Sequence, residues 1–380
     1  MKLFVIAAGA VILWILQGCL YHCFWARGLK ASVSFDRAFA VEGEHAVLKE
    51  TITNAKALPL PILHVKFQMG RHLVFVDSGN SAVTDQNYRS DIFSCMPWQE
   101  IRRRLELCCK KRGYYTISQI QLVSYDLFFS GHFVSSLPGE ASLYVYPKAV
   151  AFERLAIPFR NLSGQILARQ ALILDPFETQ SIRPYESYDP YRSVNWKATA
   201  RTGSLKVNVY TPTSSWKVCF LLDVDSDRIW KDEDLTEEAI RLCGSYSQTL
   251  IKEGIPVSIH TNGPDCITGK CGYLEYGAGT EHGRSIMELL ARIQVGDASH
   301  PAMEQILKEQ ADALLAGSGS MIYILLSPVR RPSMSRAFAS LCRQSPGSQW
   351  ILPVRPKEDI QLEQNSSFSV FPWEVPYDHS

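Results

Sequence analysis

Two hydrophobic rhythms divide this chain, and each admits few folds. From Ala31 to about Lys148, apolar and β-branched residues recur in short, partly alternating runs: Ser32–Phe39, Ala46–Thr53, Pro61–Phe67, Arg102–Cys108, Tyr114–Val123 and Leu143–Tyr146. Turn formers such as Glu42-Gly43-Glu44 and Gly113 separate them, and no long helical pattern intervenes. That pattern predicts a β-sandwich over 31–150. Arg71–Gln99 has no readable period and is expected to be rich in loops. From Trp216 the rhythm changes. Val218–Leu222, Pro256–His260, Met321–Leu326 and Trp350–Val354 are short apolar runs. They alternate with helical spacing in Asp234–Lys252, Ser285–Ile293, Ala302–Leu315 and Ser335–Arg343. Strands apolar on both faces, with helices between them, predict a three-layer, Rossmann-like α/β domain with a mainly parallel sheet over 214–355. Residues 151–213 read as a connecting region, with weak helical spacing in Ile157–Ala171 and breaks at Asp175, Pro176, Pro184 and Pro190. Residues 356–380 read as a polar, partly disordered tail.

With 380 residues, more than one core is expected. The 39 basic and 38 acidic residues leave a net charge of +1, so no global electrostatic case exists for nucleic acid. Arg102-Arg103-Arg104 and Lys110-Lys111-Arg112 flank Leu105–Cys109. They read as a basic strand face in water, with an anionic membrane surface as the sharper alternative. Ten cysteines show no repeated zinc spacing; Cys108-Cys109 are adjacent, and Cys266 and Cys271 have no second pair. Cysteines scattered through apolar strands, such as Cys219, predict buried thiols in a reducing compartment.

Leu3–Trp25 is 23 residues long and carries no formal charge; only Gln17 and His22 interrupt it. That length spans a bilayer, so 1–30 reads as a transmembrane anchor with residues 3–25 in lipid. Tyr21 and Trp25 read as interfacial aromatics. Arg27, Lys30 and Arg37 follow the segment and only Lys2 precedes it, which places the body of the protein in the cytoplasm. The alternative is a lipoprotein signal with Cys19 as the lipidated residue, a reading that the apolar run continuing to Trp25 opposes.

The centre of the chain carries a resemblance. The run Arg183-x-Tyr185-x-x-x-Asp189-x-x-Arg192-x-Val194-x-Trp196-x-Ala198-x-Ala200-Arg201 is similar to the signature of the domain-of-unknown-function 58 family (DUF58). Val41-Glu42-Gly43-Glu44 with Asn54, Lys111-Arg112-Gly113-Tyr114-Tyr115, Asp126-Leu127-Phe128 and Val145-Tyr146-Pro147-Lys148 also resemble it. The family consists of bacterial and archaeal membrane proteins, many with two N-terminal membrane helices where this sequence has one. The resemblance implies a C-terminal von Willebrand factor A-like fold, a scaffold or adaptor role without established catalysis, and cooperation with a MoxR-type AAA+ ATPase in assembling or activating client proteins. Within the signature, Asp189 is expected to pair with Arg192 or Arg201. Buried ion pairs and stacking by Arg183, Tyr185, Arg192 and Trp196 would then hold domains together. A ligand or partner site is the alternative for the same residues.

A von Willebrand A-like domain implies Mg²⁺ bound by Asp-x-Ser-x-Ser after its first strand, completed by a distant Thr and a distant Asp. Here the loop is Asp223-Val224-Asp225-Ser226-Asp227, with aspartates at both serine positions. The strand expected to end in the distant acid ends in Ser327-Pro328, and Thr261 or Thr280 stands in for the Thr. Clustered carboxylates invite Mg²⁺ or Ca²⁺, so Asp223, Asp225 and Asp227 are metal candidates of a degenerate site; a solvated acidic turn is the plainer reading. An apolar strand followed by Asp-x-Asp also resembles haloacid-dehalogenase phosphatases, with Asp223 as nucleophile and Asp225 as general acid. Asp227 departs from that motif, and Gly296-Asp297 follows a helix, not a strand. Gly277-Ala278-Gly279-Thr280 before His282-Gly283-Arg284 could cap a helix and receive an anion, but it matches no phosphate loop.

Overall fold

The computed structural model describes residues 2–76, 81–84, 88–151, 155, 174–187, 189, 191–212, 217–225, 233–296, 301–316, 321–358 and 368–377. The chain forms two compact units, Met1–Lys148 and Ala149–Ser380. The weak helical spacing of Ile157–Ala171 lies outside the described residues.

The first unit begins with helix α1 (Lys2–Phe24). Within it, Phe4–Phe24 is long and apolar enough to cross a membrane, a property shared by single-pass anchors and signal sequences. Two sheets follow. One runs β1-β3-β8-β5, from β1 (Leu29–Phe35), β3 (His45–Asn54), β5 (Leu73–Phe75) and β8 (Glu100–Cys109). The other runs β2-β10-β9-β4-β7-β6, from β2 (Phe39–Val41), β4 (Leu60–Gln68), β6 (Ser81–Thr84), β7 (Tyr88–Cys95), β9 (Gly113–Tyr125) and β10 (His132–Tyr146). Alternate residues of both sheets meet in one core: Leu48 and Ile52 of β3, Leu63 and Val65 of β4, Leu105 and Leu107 of β8, Ile120 and Leu122 of β9.

Three expectations change here. Arg71–Gln99 is largely strand, supplying β5, β6 and β7. The basic run is not one face: Arg102 and Arg104 are exposed, while Arg103, on the opposite side of the pleat, donates to Asp91 at 2.9 Å. Tyr21 and Trp25 are not interfacial aromatics, because both are buried in the sandwich core. The Tyr21 hydroxyl donates to the Pro59 carbonyl at 2.7 Å, and the Trp25 ring stacks on Phe133. The thiols divide: Cys95, Cys109, Cys219, Cys243 and Cys342 are buried, whereas Cys19, Cys23, Cys266 and Cys271 are exposed.

The second unit holds a two-stranded ribbon of β11 (Leu174–Pro184) and β12 (Lys206–Pro212), joined through the short helix α2 (Trp196–Thr202). Beyond it lies a six-stranded sheet in the order β15-β14-β13-β16-β17-β18. Its strands are β13 (Lys217–Leu222), β14 (Val257–Pro264), β15 (Cys271–Gly277), β16 (Met321–Leu326), β17 (Gln349–Val354) and β18 (Ser369–Glu374). All neighbours are parallel except β15, which runs antiparallel to β14. Counted from β13, the order is 3-2-1-4-5-6, the doubly wound arrangement whose direction of winding reverses between its first and fourth strands.

The continuous apolar runs are explained by burial on both faces. Val218, Phe220 and Leu222 pack with helices α3 (Glu233–Lys252) and α4 (Thr280–Arg292). Cys219 and Leu221 pack with α5 (Met303–Ala316) and α6 (Pro332–Gln344) on the other side. Helix α3 starts on Glu233 and Asp234, favourable at the positive end of its dipole, and Gly254, at φ 75°, turns the chain out of it. The polar tail contributes an edge strand, since 369–374 pairs along the whole of β17.

Candidate functional site

Asp223 is the first residue past β13 and Ser327 the first past β16, so the two flank the crevice where the winding reverses. Open α/β sheets bind ligands at that edge. The ladder continues one step further, with the Asp223 amide donating to the Leu326 carbonyl at 2.9 Å. Asp223 is fully buried. Its Oδ2 accepts from Ser327 Oγ at 2.7 Å. Its Oδ1 accepts from Asn262 Nδ2 at 2.8 Å and from the Asp225 amide at 3.0 Å. Asn262 returns the chain's own polarity, its Oδ1 accepting from the Val224 amide at 2.9 Å. Ser327 Oγ in turn accepts from the Val329 amide at 3.0 Å. A side chain at Gly263 would bring its Cβ within 2.6 Å of Ile293 and 3.1 Å of Val224, so glycine lets this loop close over the carboxylate.

Every donor to Asp223 is neutral. Burial therefore dominates and, helped by the nearby Asp225 charge and opposed by these hydrogen bonds, pushes its carboxyl up to about 6. Asp225 stands further out, where Arg331 Nη2 donates to its Oδ2 at 3.2 Å. Arg331 precedes α6 and also approaches Glu304 at 3.9 Å, while Ser333 Oγ donates to Glu304 Oε1 at 2.7 Å. Asp227 lies outside the described residues. Thr261 lies within β14, its Oγ1 accepting from the Gly263 amide at 3.0 Å, and Thr280 opens α4.

A divalent cation needs several oxygen ligands converging on one point. Here both oxygens of Asp223 already accept protein donors, and Asp225 is paired with a guanidinium. No group of three or more acidic, histidine or cysteine side chains converges among the described residues. The described donors do not fit Mg²⁺ or Ca²⁺. Asp223 itself is fully buried and accepts three hydrogen bonds. The Gly277–Thr280 run leads directly into α4, and His282 Nε2 lies 2.7 Å from the Val257 carbonyl. That ring fastens the helix to β14.

In the signature region, Asp189 pairs with Arg183, correcting the expected partners Arg192 and Arg201. Arg183 Nη1 and Nη2 donate to the two oxygens of Asp189 at 2.7 and 2.6 Å, a forked geometry, and the Glu186 amide donates at 2.9 Å. The Arg183 hydrogen bonds foremost hold the Asp189 carboxyl below its ordinary value. Tyr185 and Tyr191 rings lie 5.5 Å apart. Asn195 caps α2 by accepting from the Ala198 amide at 2.9 Å, and its Nδ2 donates to Asn208 on β12 at 2.6 Å. Buried stacking is not what these residues do: Trp196 is 65% exposed, and Arg192 and Arg201 are exposed. The segment orders the turn between β11 and α2.

Sequence reasoning passed over Asn262, Ser327 and Arg331. Ser327 was visible as a hydroxyl where an acid was expected; the signal for the other two is the strand order itself.

No family model and no curated protein matches the chain. Among solved structures, the chain is similar to a non-cellulosomal cohesin from Archaeoglobus fulgidus, at 14% identity over 33% of this chain and 96% of that one, with a TM-score of 0.22. A ScaB type I cohesin from Pseudobacteroides cellulosolvens matches at 12% identity over 32% and 94%, TM-score 0.22. A type II cohesin domain from the cellulosome of Acetivibrio cellulolyticus matches at 10% over 31% and 94%, TM-score 0.23. At such scores the likeness carries no argument about function.

Proposed function

We propose that this chain is a membrane-anchored, non-enzymatic adaptor that binds a partner protein at the C-terminal edge of its parallel sheet, and that the partner is a MoxR-type AAA+ ATPase, as the family resemblance implies. The observation that carries the reading is the division of labour at the switch point. Asp223 is consumed in tying β13 to β14 and β16, while the Asp225–Arg331 pair stands beside it with both side chains partly in solvent. Arg331 is 40% exposed and can take a partner's carboxylate in a fork. The 3-2-1-4-5-6 order, with an aspartate directly after the first strand, supports a von Willebrand A-like description of the domain. Its site is then a degenerate one that uses a guanidinium where the family implies a metal. Helix α1 continues unbroken through Cys19 to Phe24, which supports a single-pass anchor over a lipoprotein cut at Cys19. The basic residues after it support a cytoplasmic body.

The test is co-purification of the full-length chain, in detergent, with a MoxR-type ATPase from the same cells. Binding that is lost in Arg331→Glu is the expected result. Phosphatase turnover by the wild type that Asp223→Asn abolishes would overturn the adaptor reading. A rise in melting temperature with millimolar Mg²⁺ or Ca²⁺ would restore a metal to the site.

A further inference from the structure

The exit of α1 from the sandwich is ringed by apolar side chains that the fold holds outward. From Gln17 onward the helix packs on the first unit, and Gln17 Nε2 donates to Asp126 Oδ2 at 3.2 Å. Asp126 opens the turn between β9 and β10. Its carboxylate is buried, and it accepts from the Ser130 amide at 2.7 Å and from the Ser130 hydroxyl. This clasp projects three consecutive apolar residues: Leu127, Phe128 and Phe129 are 47, 56 and 57% exposed. A second tip is tied to the end of the helix through Lys56. The Trp98 amide donates to the Lys56 carbonyl at 3.2 Å, and Lys56 Nζ donates to the Trp25 carbonyl at 2.5 Å. Trp98 is 72% exposed and its neighbour Met96 61%.

Both tips are strained toward this presentation. Phe129, at φ 55°, and Trp98, at φ 57°, are in the left-handed region, which bulky side chains avoid. Such conformations are costly for bulky side chains and cluster where they serve function.

Bilayer thickness supplies the second argument. The candidate span, Phe4–Phe24, covers 21 residues and rises about 32 Å at 1.5 Å per residue, against roughly 30 Å of hydrocarbon, and Gln17 lies inside it. A spanning helix therefore draws the Gln17 level, and the turn bonded to it, to the depth of the acyl chains. Trp25 then falls about 12 Å further out, at the headgroups, with Arg27 and with Lys56, which ties the Trp98 turn to it.

We propose that Leu127–Phe129 is a second membrane-embedded element and the Trp98 turn an interfacial anchor, so that the first unit sits in the phospholipid bilayer as a collar around α1. The proposal rests on α1 being a retained membrane anchor, and the test separates the two. The photoreactive residue p-benzoylphenylalanine is placed singly at position 128, at Ile12 in the helix, or at Ile267, an exposed residue of the second unit, in the full-length chain. Each protein is reconstituted in phosphatidylcholine–phosphatidylglycerol vesicles and illuminated. The expected result is lipid adduct at 128 comparable with that at 12, and none above background at 267. Adduct at 12 but not at 128 overturns the collar and leaves the anchor intact. Absence at both overturns the anchor reading and the collar with it.

Discussion

Each unit buries a carboxylate, and the two do so by opposite means. In the α/β unit, Asp223 is surrounded by neutral donors, and each of its oxygens is satisfied. In the sandwich, Glu50 lies between Leu48 and Ile52 on the inward face of β3, and with its acid ionised neither oxygen finds a donor. Its surroundings are charged. Asp91 on β7 is bonded by Arg89 at 2.5 and 3.1 Å and by Arg103 at 2.9 Å, with the Arg89 guanidinium 3.8 Å over the Phe75 ring. Burial, and then the Asp91 charge, push the Glu50 carboxyl up to about 8, although Arg89 and Arg103 pull the other way. A proton on Glu50 then supplies the missing donor, toward Asp91. The sandwich cluster joins two sheets from strand interiors and has no loop leading outward. The other sits at a sheet edge, two residues from a partly exposed carboxylate. Burial of charge is thus architectural in one unit and adjacent to a surface in the other.

Removing a charge is the harshest way to probe this contrast. Arg89→Ala leaves Asp91 buried with one cation fewer and should destabilise the first unit by about 3–5 kcal/mol, read as a fall in the urea midpoint of the full chain in detergent. Glu50→Gln probes the same cluster more gently. The folded value of about 8 lies above the ordinary 4.5, so the fold holds this proton more tightly than the unfolded chain. Stability is therefore full below pH 4.5 and declines as pH rises toward 8. Glutamine removes that decline. The variant should match wild type near pH 4 and exceed it at pH 9, by up to about 5 kcal/mol. An unchanged pH profile would show that Glu50 ionises without penalty.

Asp223→Asn carries the same logic to the other unit over a lower window. Its carboxyl, at about 6 against an ordinary 3.8, contributes stability below pH 3.8 that is lost by pH 6. Asparagine can still accept from Asn262 and donate to Ser327. The variant should be more stable than wild type by up to about 3 kcal/mol at pH 7.5 and nearly equal to it at pH 4, by thermal melts at the two pH values.

What the sequence disclosed follows from the same physics. The apolar runs of β13, β16 and β17 were legible because both faces of each strand are covered, so nothing polar interrupts them. β7 was not, since Arg89 and Asp91 occupy inward positions in phase with Phe93 and Cys95 while Ile92 points out, inverting the usual alternation. β18 was hidden by Pro372, a residue that weakens a strand pattern and is tolerated at an edge such as β18. Asp223 was readable from a strand ending in acids. Its partners were not, because Asn262 and Ser327 reach it through strand order, 39 and 104 residues away. Arg183 was passed over as the partner of Asp189 for a related reason: three arginines lie within reach in sequence, and the β11 turn selects among them.

The smallest stability effect should accompany the largest functional one. Arg331 and Asp225 are 40% and 21% exposed, a pair in the range where ion pairs contribute about 1 kcal/mol or less. Arg331→Ala should therefore shift the melting temperature little. It removes the cation on the switch-point edge while Asn262 and Ser327 still secure Asp223, so the fold of the edge persists without its charge. Loss of the ATPase in co-purification from a normally melting Arg331→Ala variant would place partner recognition in the outer pair, apart from the inner carboxylate. Equal retention of the ATPase by Arg331→Ala and wild type would remove Arg331 from the interface. An equal loss in Asp223→Asn and Arg331→Ala would instead make the two layers one site and erase the contrast with the sandwich cluster.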